Sequence, residues 1–168
     1  KLALHGSVED VLATPRITAQ GDWHNLTWPL SATLPQIQSP QGRFEVAGLL
    51  NAYQMKLNGQ LIQQYLPQAQ LSFDGKGSLE AIAIKKLQLK STTGLFQLAG
   101  NASWGTVPEF DVTATGQKFN PAIFNPQLPG SLTFSSHLQG KLDLKALQIT
   151  AEINKLTGQL RNYPVNAN

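Results

Sequence analysis

The chain has no cysteine and a single methionine, and charged residues make up only 14% of it. Without cysteine there is no disulfide scaffold, no thiolate metal site and no thiol catalysis. The longest apolar run is the four residues Ala81 to Ile84, so no stretch can cross a bilayer as a helix. Histidine is scarce as well. His5, His24 and His137 lack the i, i+2 spacing by which two ligands on a strand share a metal, and no third ligand lies close in sequence. No Gly-x-Ser-x-Gly elbow, phosphate loop or dinucleotide fingerprint occurs. Asp74-Gly75-Lys76-Gly77 has a phosphate-loop flavour but neither follows a long buried strand nor opens a helix, and reads as a tight turn. Glu9-Asp10 and Glu109/Asp111 are carboxylate pairs with no partner in view to shift their titration. His137 shares a polar alternation with Thr133 and Ser135, where a solvated ring is expected. No enzyme, metal or cofactor is expected.

What is present is neutral polarity and leucine. The 168 residues include 17 Gln, 10 Asn, 10 Ser and 12 Thr, against 13 Lys+Arg and 10 Asp+Glu. Twenty-five leucines give a core enough to collapse, which argues against disorder. The net charge of +3 comes from basic residues scattered singly, only Lys85-Lys86 being adjacent. That pattern fits a solvated surface rather than a nucleic-acid footprint. The chain opens on Lys1, with no initiating methionine, signal peptide or lipidation motif, and is expected to be a piece of something longer. Asn25-Leu26-Thr27 and Asn101-Ala102-Ser103 match the glycosylation pattern, as chance allows in such a composition. Trp23 and Trp28 flank the segment Asp22–Leu30 and are expected as core anchors.

Period-two alternation runs through the chain. Tyr53, Met55 and Leu57 alternate with Gln54, Lys56 and Asn58, and Phe110, Val112 and Ala114 with Asp111, Thr113 and Thr115. Phe96 and Leu98 open a third such segment, and Leu132, Phe134 and Leu138 a fourth. Further strands are expected at Leu2–Val8, Arg43–Leu50, Ala69–Phe73, Leu87–Leu89, Leu142–Leu144, Leu147–Ile153 and Gly158–Arg161, roughly ten to twelve in all. Helix is expected only as a turn or two at Leu61–Leu66 and a short piece from Asn120-Pro121 through Phe124, ended by Asn125-Pro126.

An internal repeat organises these segments. Gly42-Arg43-Phe44-Glu45-Val46-Ala47-Gly48 aligns with Gly94-Leu95-Phe96-Gln97-Leu98-Ala99-Gly100. Tyr53-x-Met55-x-Leu57-x-Gly59 matches Phe110-x-Val112-x-Ala114-x-Gly116, Leu66-Pro67 matches Leu128-Pro129, and Leu71-Ser72-Phe73 matches Leu132-Thr133-Phe134. The reading is a single segment over residues 1–168, with repeats at 42–93 and 94–157 and a partial unit at 158–168. Stacked units of this kind leave an open, elongated sheet. A lipocalin-like closed barrel is the competing architecture, suggested by length and by Gly21-Asp22-Trp23.

The succession Gly21-Asp22-Trp23-x-x-Leu26-x-Trp28-Pro29-Leu30, Ser39-Pro40-x-Gly42-x-Phe44-x-Val46-x-Gly48 and Asn51-x-Tyr53 resembles the TamB family of cell-envelope proteins. So do Phe119-Asn120-Pro121-Ala122, Leu128-Pro129-Gly130 and the closing Leu156-Thr157-Gly158-x-Leu160-Arg161-x-Tyr163-Pro164-Val165. The resemblance implies a long, curled, open β-sheet (a β-taco, related to AsmA-like and bridge-like lipid transporters) in the periplasm of a Gram-negative bacterium. It implies a role in moving phospholipid between membranes, and in outer-membrane barrel assembly or secretion with a TamA-like partner.

The residues supply a physical counterpart. Apolar strand faces gathered on one side of a curled sheet would make a groove for acyl chains, which cost about 0.8 kcal/mol per methylene in water. The expected lining is Phe44, Val46, Tyr53, Met55, Leu57, Leu71, Phe73, Phe96, Leu98, Phe110, Val112, Leu132, Phe134 and Leu138. The alternative is a chaperone or assembly module that binds outer-membrane β-barrel substrates by strand addition at a sheet edge.

Overall fold

The computed structural model describes residues 1–29, 37–63, 66–143 and 146–167, the side chains of Leu66, Pro67 and Asp143 excepted. Eleven strands follow one another: β1 (Leu2–Glu9), β2 (Arg16–Trp28), β3 (Ile37–Leu49), β4 (Ala52–Gln63), β5 (Leu66–Gly77), β6 (Ala81–Ser91), β7 (Leu95–Ser103), β8 (Glu109–Phe119), β9 (Gly130–Asp143), β10 (Ala146–Leu160) and β11 (Tyr163–Ala167). They form one antiparallel sheet in simple sequence order, β1 to β11. The expected all-β, open architecture is what the chain adopts, with a strand number inside the expected range.

Local chemistry explains the strand starts. Pro15, Pro108 and Pro129 each stand immediately before a strand, where no N–H is needed. Their carbonyls still join the ladder, accepting from Leu50, Leu142 and Arg161 at 2.8, 2.7 and 2.8 Å. The β10–β11 hairpin turns on Arg161 and Asn162, with φ of 49° and 66°. Two consecutive positive values are what a tight two-residue hairpin requires. The short helix expected from Asn120 is a single 3-10 turn, η1 (Pro121–Ile123). Asn120 caps it, its Oδ1 accepting from the Ala122 and Gly130 amides at 3.1 Å each.

Several expectations are corrected. The helical turn at Leu61–Leu66 is not formed: Leu61–Gln63 complete β4 and Leu66 opens β5, while residues 64–65 lie outside the described residues. Asp74–Gly77 is the end of β5 rather than a turn. The separate strands expected at Leu132–Leu138 and Leu142–Leu144 belong to one strand, β9, with 144 outside the described residues. Leu147–Ile153 and Gly158–Arg161 likewise merge in β10, which ends at Leu160. β2 and β11 were not anticipated as strands.

The sheet is open and uncurled, against the curl expected from the resemblance. Each strand packs on its sequence neighbours, and β1 does not meet β11, which excludes the closed-barrel alternative. Surface area makes the same point. A compact protein of 18.2 kDa exposes about 8,100 Å², whereas this chain exposes 11476 Å². The excess is the uncovered area of a one-layer sheet. Buried apolar side chains are accordingly few: Trp23, Ala69, Val112, Ala114 and Phe119 in strands, and Ala122 in η1.

Candidate functional site

Cross-strand register converts the alternation of single strands into continuous rows. One row reads Leu4, Gly21, Phe44, Leu57, Phe73, Leu87, Leu98, Ala114, Ser136, Ile153 across ten strands. The next reads Gly6, Ala19, Val46, Met55, Gly75, Ile84, Gly100, Val112, Leu138, Ala151. A third runs from Leu2 through Trp23, Leu71, Leu89, Phe96 and Phe134 to Leu156 and Ala167, and a fourth carries Ile17, Tyr53, Ile82, Phe110 and Ile149. None of these rows contains a charged residue.

Every expected lining residue lies on this face: Leu132 pairs with Phe119 beside the third row, and the others sit in the rows themselves. Val112 is buried and the rest are half-buried. Ile17, Ile82, Ile84, Leu87 and Leu89 share the face and were not singled out, although Ile82/Ile84 and Leu87/Leu89 carry the same two-residue spacing. Trp23 behaves as the expected anchor. Its Nε1 donates to Ser39 Oγ at 2.7 Å, and Ser39 Oγ donates to the Gln60 carbonyl at 2.7 Å. Trp28 does not: it is 62% exposed.

Bulges at Asp74/Gly75 and Gly116/Phe119 interrupt the register without moving the apolar set to the other face. At one end of the strands an aromatic cluster closes the face. Phe119 lies 5.4 Å from Phe96, 5.9 Å from Phe134 and 5.7 Å from Phe124 of the η1 connection, centroid to centroid. Gln63 Nε2 donates to the Ile123 carbonyl at 3.4 Å, tying the end of β4 to the same connection.

The opposite face is polar. Arg43, Asn58, Ser72, Gln88, Gln97, Thr115, Ser135 and Lys155 form one of its rows. Neutral amides and hydroxyls pair across strands there at little electrostatic cost. Two hollows of the sheet lie on this side. One of about 710 Å³ is lined by Lys76, Asn101, Asp111, Gln139 and Thr150, and another of about 790 Å³ by Asp22, Arg43, Asn58 and Gln88. The apolar side is a continuous floor on which the residues expected to line a trough stand strand by strand.

Asp111, expected to lack a partner, has two. His137 Nε2 stands 2.7 Å from its Oδ1, and Gln139 Nε2 donates to Oδ2 at 2.9 Å. The hydrogen bond from His137, then that from Gln139, holds the Asp111 carboxyl below the ordinary carboxylate value. His137 is thus a cross-strand partner rather than a lone solvated ring. Among the described residues no group of three or more His, Asp or Glu could hold a metal ion, and no helix is long and apolar enough to cross a membrane.

The family model described as TamB, N-terminal domain, matches residues 1–168. The translocation and assembly module subunit TamB of Haemophilus influenzae is 28% identical over 123 residues, covering 73% of this chain and 10% of that protein. The chain thus spans about a tenth of that relative's length. No solved structure matches it.

Proposed function

Because the chain belongs to the TamB family, we propose that it is a non-enzymatic periplasmic segment of an envelope-spanning translocation and assembly module. In this reading its apolar face carries phospholipid acyl chains between the inner and outer membranes. The observation that carries it is the set of uncharged rows that runs unbroken from strand to strand. At about 4.8 Å per strand, the floor is roughly 48 Å long. A sixteen-carbon tail needs about 12 kcal/mol of shielding to leave the bilayer. No single contact provides that, whereas a floor many strands long covers much of the tail. The headgroup stays outside, in water. The repeats at 42–93 and 94–157 are successive units of the same floor, and a TamA-like outer-membrane protein is the partner at the level of the whole module.

The test is lipid recovery from the purified chain after incubation with phosphatidylethanolamine vesicles. Leu98→Asp and Phe134→Asp are expected to abolish recovery, and the near-isosteric Val112→Thr to lower it while leaving the circular dichroism unchanged. Full recovery in all three folded variants would overturn the reading.

A second reading has its own support. The outer side of β10 is paired with β11 only from Leu156 to Leu160, so the stretch from Ala146 to Lys155 presents unpaired backbone among the described residues. Such an edge accepts an added strand, in this case one from an unfolded outer-membrane barrel. Crosslinks from Gln148 to barrel substrates, with no lipid recovered, would favour it.

A further inference from the structure

The lysines lie scattered along the sequence, and the sheet gathers them. Strands β4, β5 and β6 carry five lysines against one carboxylate, Asp74. The other eight strands carry seven carboxylates against five lysines and arginines. Register places four of the five central lysines together on the polar face. Asp74 pairs with Lys56 of β4 and Lys86 of β6, Lys85 Nζ stands 3.5 Å from its Oδ2, and Lys76 follows two residues along β5. A bulge supplies the extra cation. The floor residues Ile84 and Leu87 pair with Gly100 and Leu98, so Lys85 and Lys86 together oppose Ala99 alone. A regular strand would offer one side chain there.

At the spacings of a sheet the four lysines fall within about 10 Å across the strands and about 7 Å along them. That is close to the Debye length in about 0.1 M salt, so they act on an anion as a group. All four are exposed. They surround a hollow of about 610 Å³ whose lining includes Gln54, Lys56, Asp74, Lys76, Lys85 and Asn101. Carboxylates on the strands around it are engaged. Glu45, the register partner of Lys56, lies 3.1 Å from Arg43 Nε, and Asp111 is held by His137 and Gln139. Glu80 stands beyond the strand ends, in the β5–β6 connection.

The rest of this face indicates what kind of anion it fits. Among the described residues no aromatic ring stands on this side of β4 to β7. Protein interfaces, by contrast, are anchored by buried aromatic and apolar groups. What surrounds the lysines is amide: Gln54, Asn58, Gln88 and Asn101. Amides both donate to and accept from hydroxyl groups. A single exposed ion pair is worth no more than about 1 kcal/mol, so an isolated anion would not stay. A polymer that presents several anions at once would. Hydroxyls, repeated anionic groups and the absence of an apolar anchor together describe an acidic polysaccharide. We propose that the Lys56, Lys76, Lys85 and Lys86 patch binds an anionic polysaccharide, on the face opposite the apolar floor. Such binding leaves the floor free and does not depend on the lipid reading.

The chain is titrated at low salt with fluorescently labelled oligogalacturonate, and in parallel with oligoglutamate of equal charge and with neutral dextran. Oligogalacturonate is expected to bind more tightly than oligoglutamate, and dextran not to bind. Lys85→Gln with Lys86→Gln should weaken oligogalacturonate binding by about threefold to tenfold with the circular dichroism unchanged. Gln54→Ala with Asn101→Ala should weaken oligogalacturonate and leave oligoglutamate unaffected. Lys141→Gln with Lys155→Gln, on β9 and β10, should leave both unchanged. Absence of binding, or affinity that survives the Lys85/Lys86 pair, overturns the inference. Equal affinity for oligoglutamate also overturns it, and would make the patch a site for acidic polypeptide. None of these outcomes touches the lipid reading, since lipid recovery is expected to be the same in every variant.

Discussion

Trp23 and Gly42 face each other across β2 and β3, and the indole fills the space that any side chain at position 42 would need. The same ring lies 3.0 Å from where a Cβ on Gly59 would stand, so it spans the backbones of two further strands. Phe44 opposite Gly21, Phe134 opposite Gly116 and Phe110 opposite Gly140 repeat the arrangement. In a sheet with no second layer, an aromatic laid over a glycine buries ring area that has nowhere else to go.

Gly42→Ala is therefore expected to destabilise the chain by about 1–3 kcal/mol, because the rigid indole cannot withdraw from its hydrogen bond to Ser39. Gly105→Ala is the control, since a Cβ there meets nothing nearer than Glu80 Oε2 at 3.7 Å. Urea midpoints of both variants check the difference; equal midpoints would refute the steric role of the ring.

Acidification should act through Asp111. Its carboxyl titrates lower in the folded chain than the ordinary value of 3.8, because the carboxylate form accepts from His137 and Gln139. A lowered folded value means the contribution is complete above the unfolded value and disappears as pH falls through the folded one. Asp111→Asn is expected to flatten the loss of stability below about pH 4. Urea midpoints at pH 6 and pH 3 measure it, and parallel losses in both proteins would rule the pair out as a source.

The outer edge of β10 predicts self-association. Ile149 and Ile153 are 58% and 53% exposed beside an unpaired backbone, a combination that invites a second strand. Ile149→Lys with Ile153→Lys should shift the sedimentation profile of the isolated chain toward monomer. An unchanged profile would place any association elsewhere, for instance at β1.

The strand pattern was legible where alternation used large side chains, as in Tyr53, Met55 and Leu57. It was missed in β2, where Ala19 and Gly21 occupy apolar positions too small to register as hydrophobic, although Ile17 and Trp23 keep the period. β9 was split because Gly140 breaks the apolar set at the point where the Phe110 ring covers it. That the residues of the expected lining set share one face could be read from sequence, since parity within each strand fixes its face once one neighbour is known. The Asp111–His137 pair could not, because it depends on the β8–β9 register. Curl was expected from resemblance alone, and no single-strand pattern encodes the bend of a whole sheet.

The sequential strand order has a consequence for biosynthesis. No rung of the described ladder joins residues farther apart in sequence than Pro15 and Leu50. Contacts that local are cheap in loop-closure entropy and form early, so each hairpin can close while the following one is still being made. Hydrogen exchange on chains truncated after β4 would then find the β2–β3 amides already protected. A polypeptide laid down in this way advances as a growing front, and a ribosome or a secretion channel can deliver it strand by strand without holding back a distant partner.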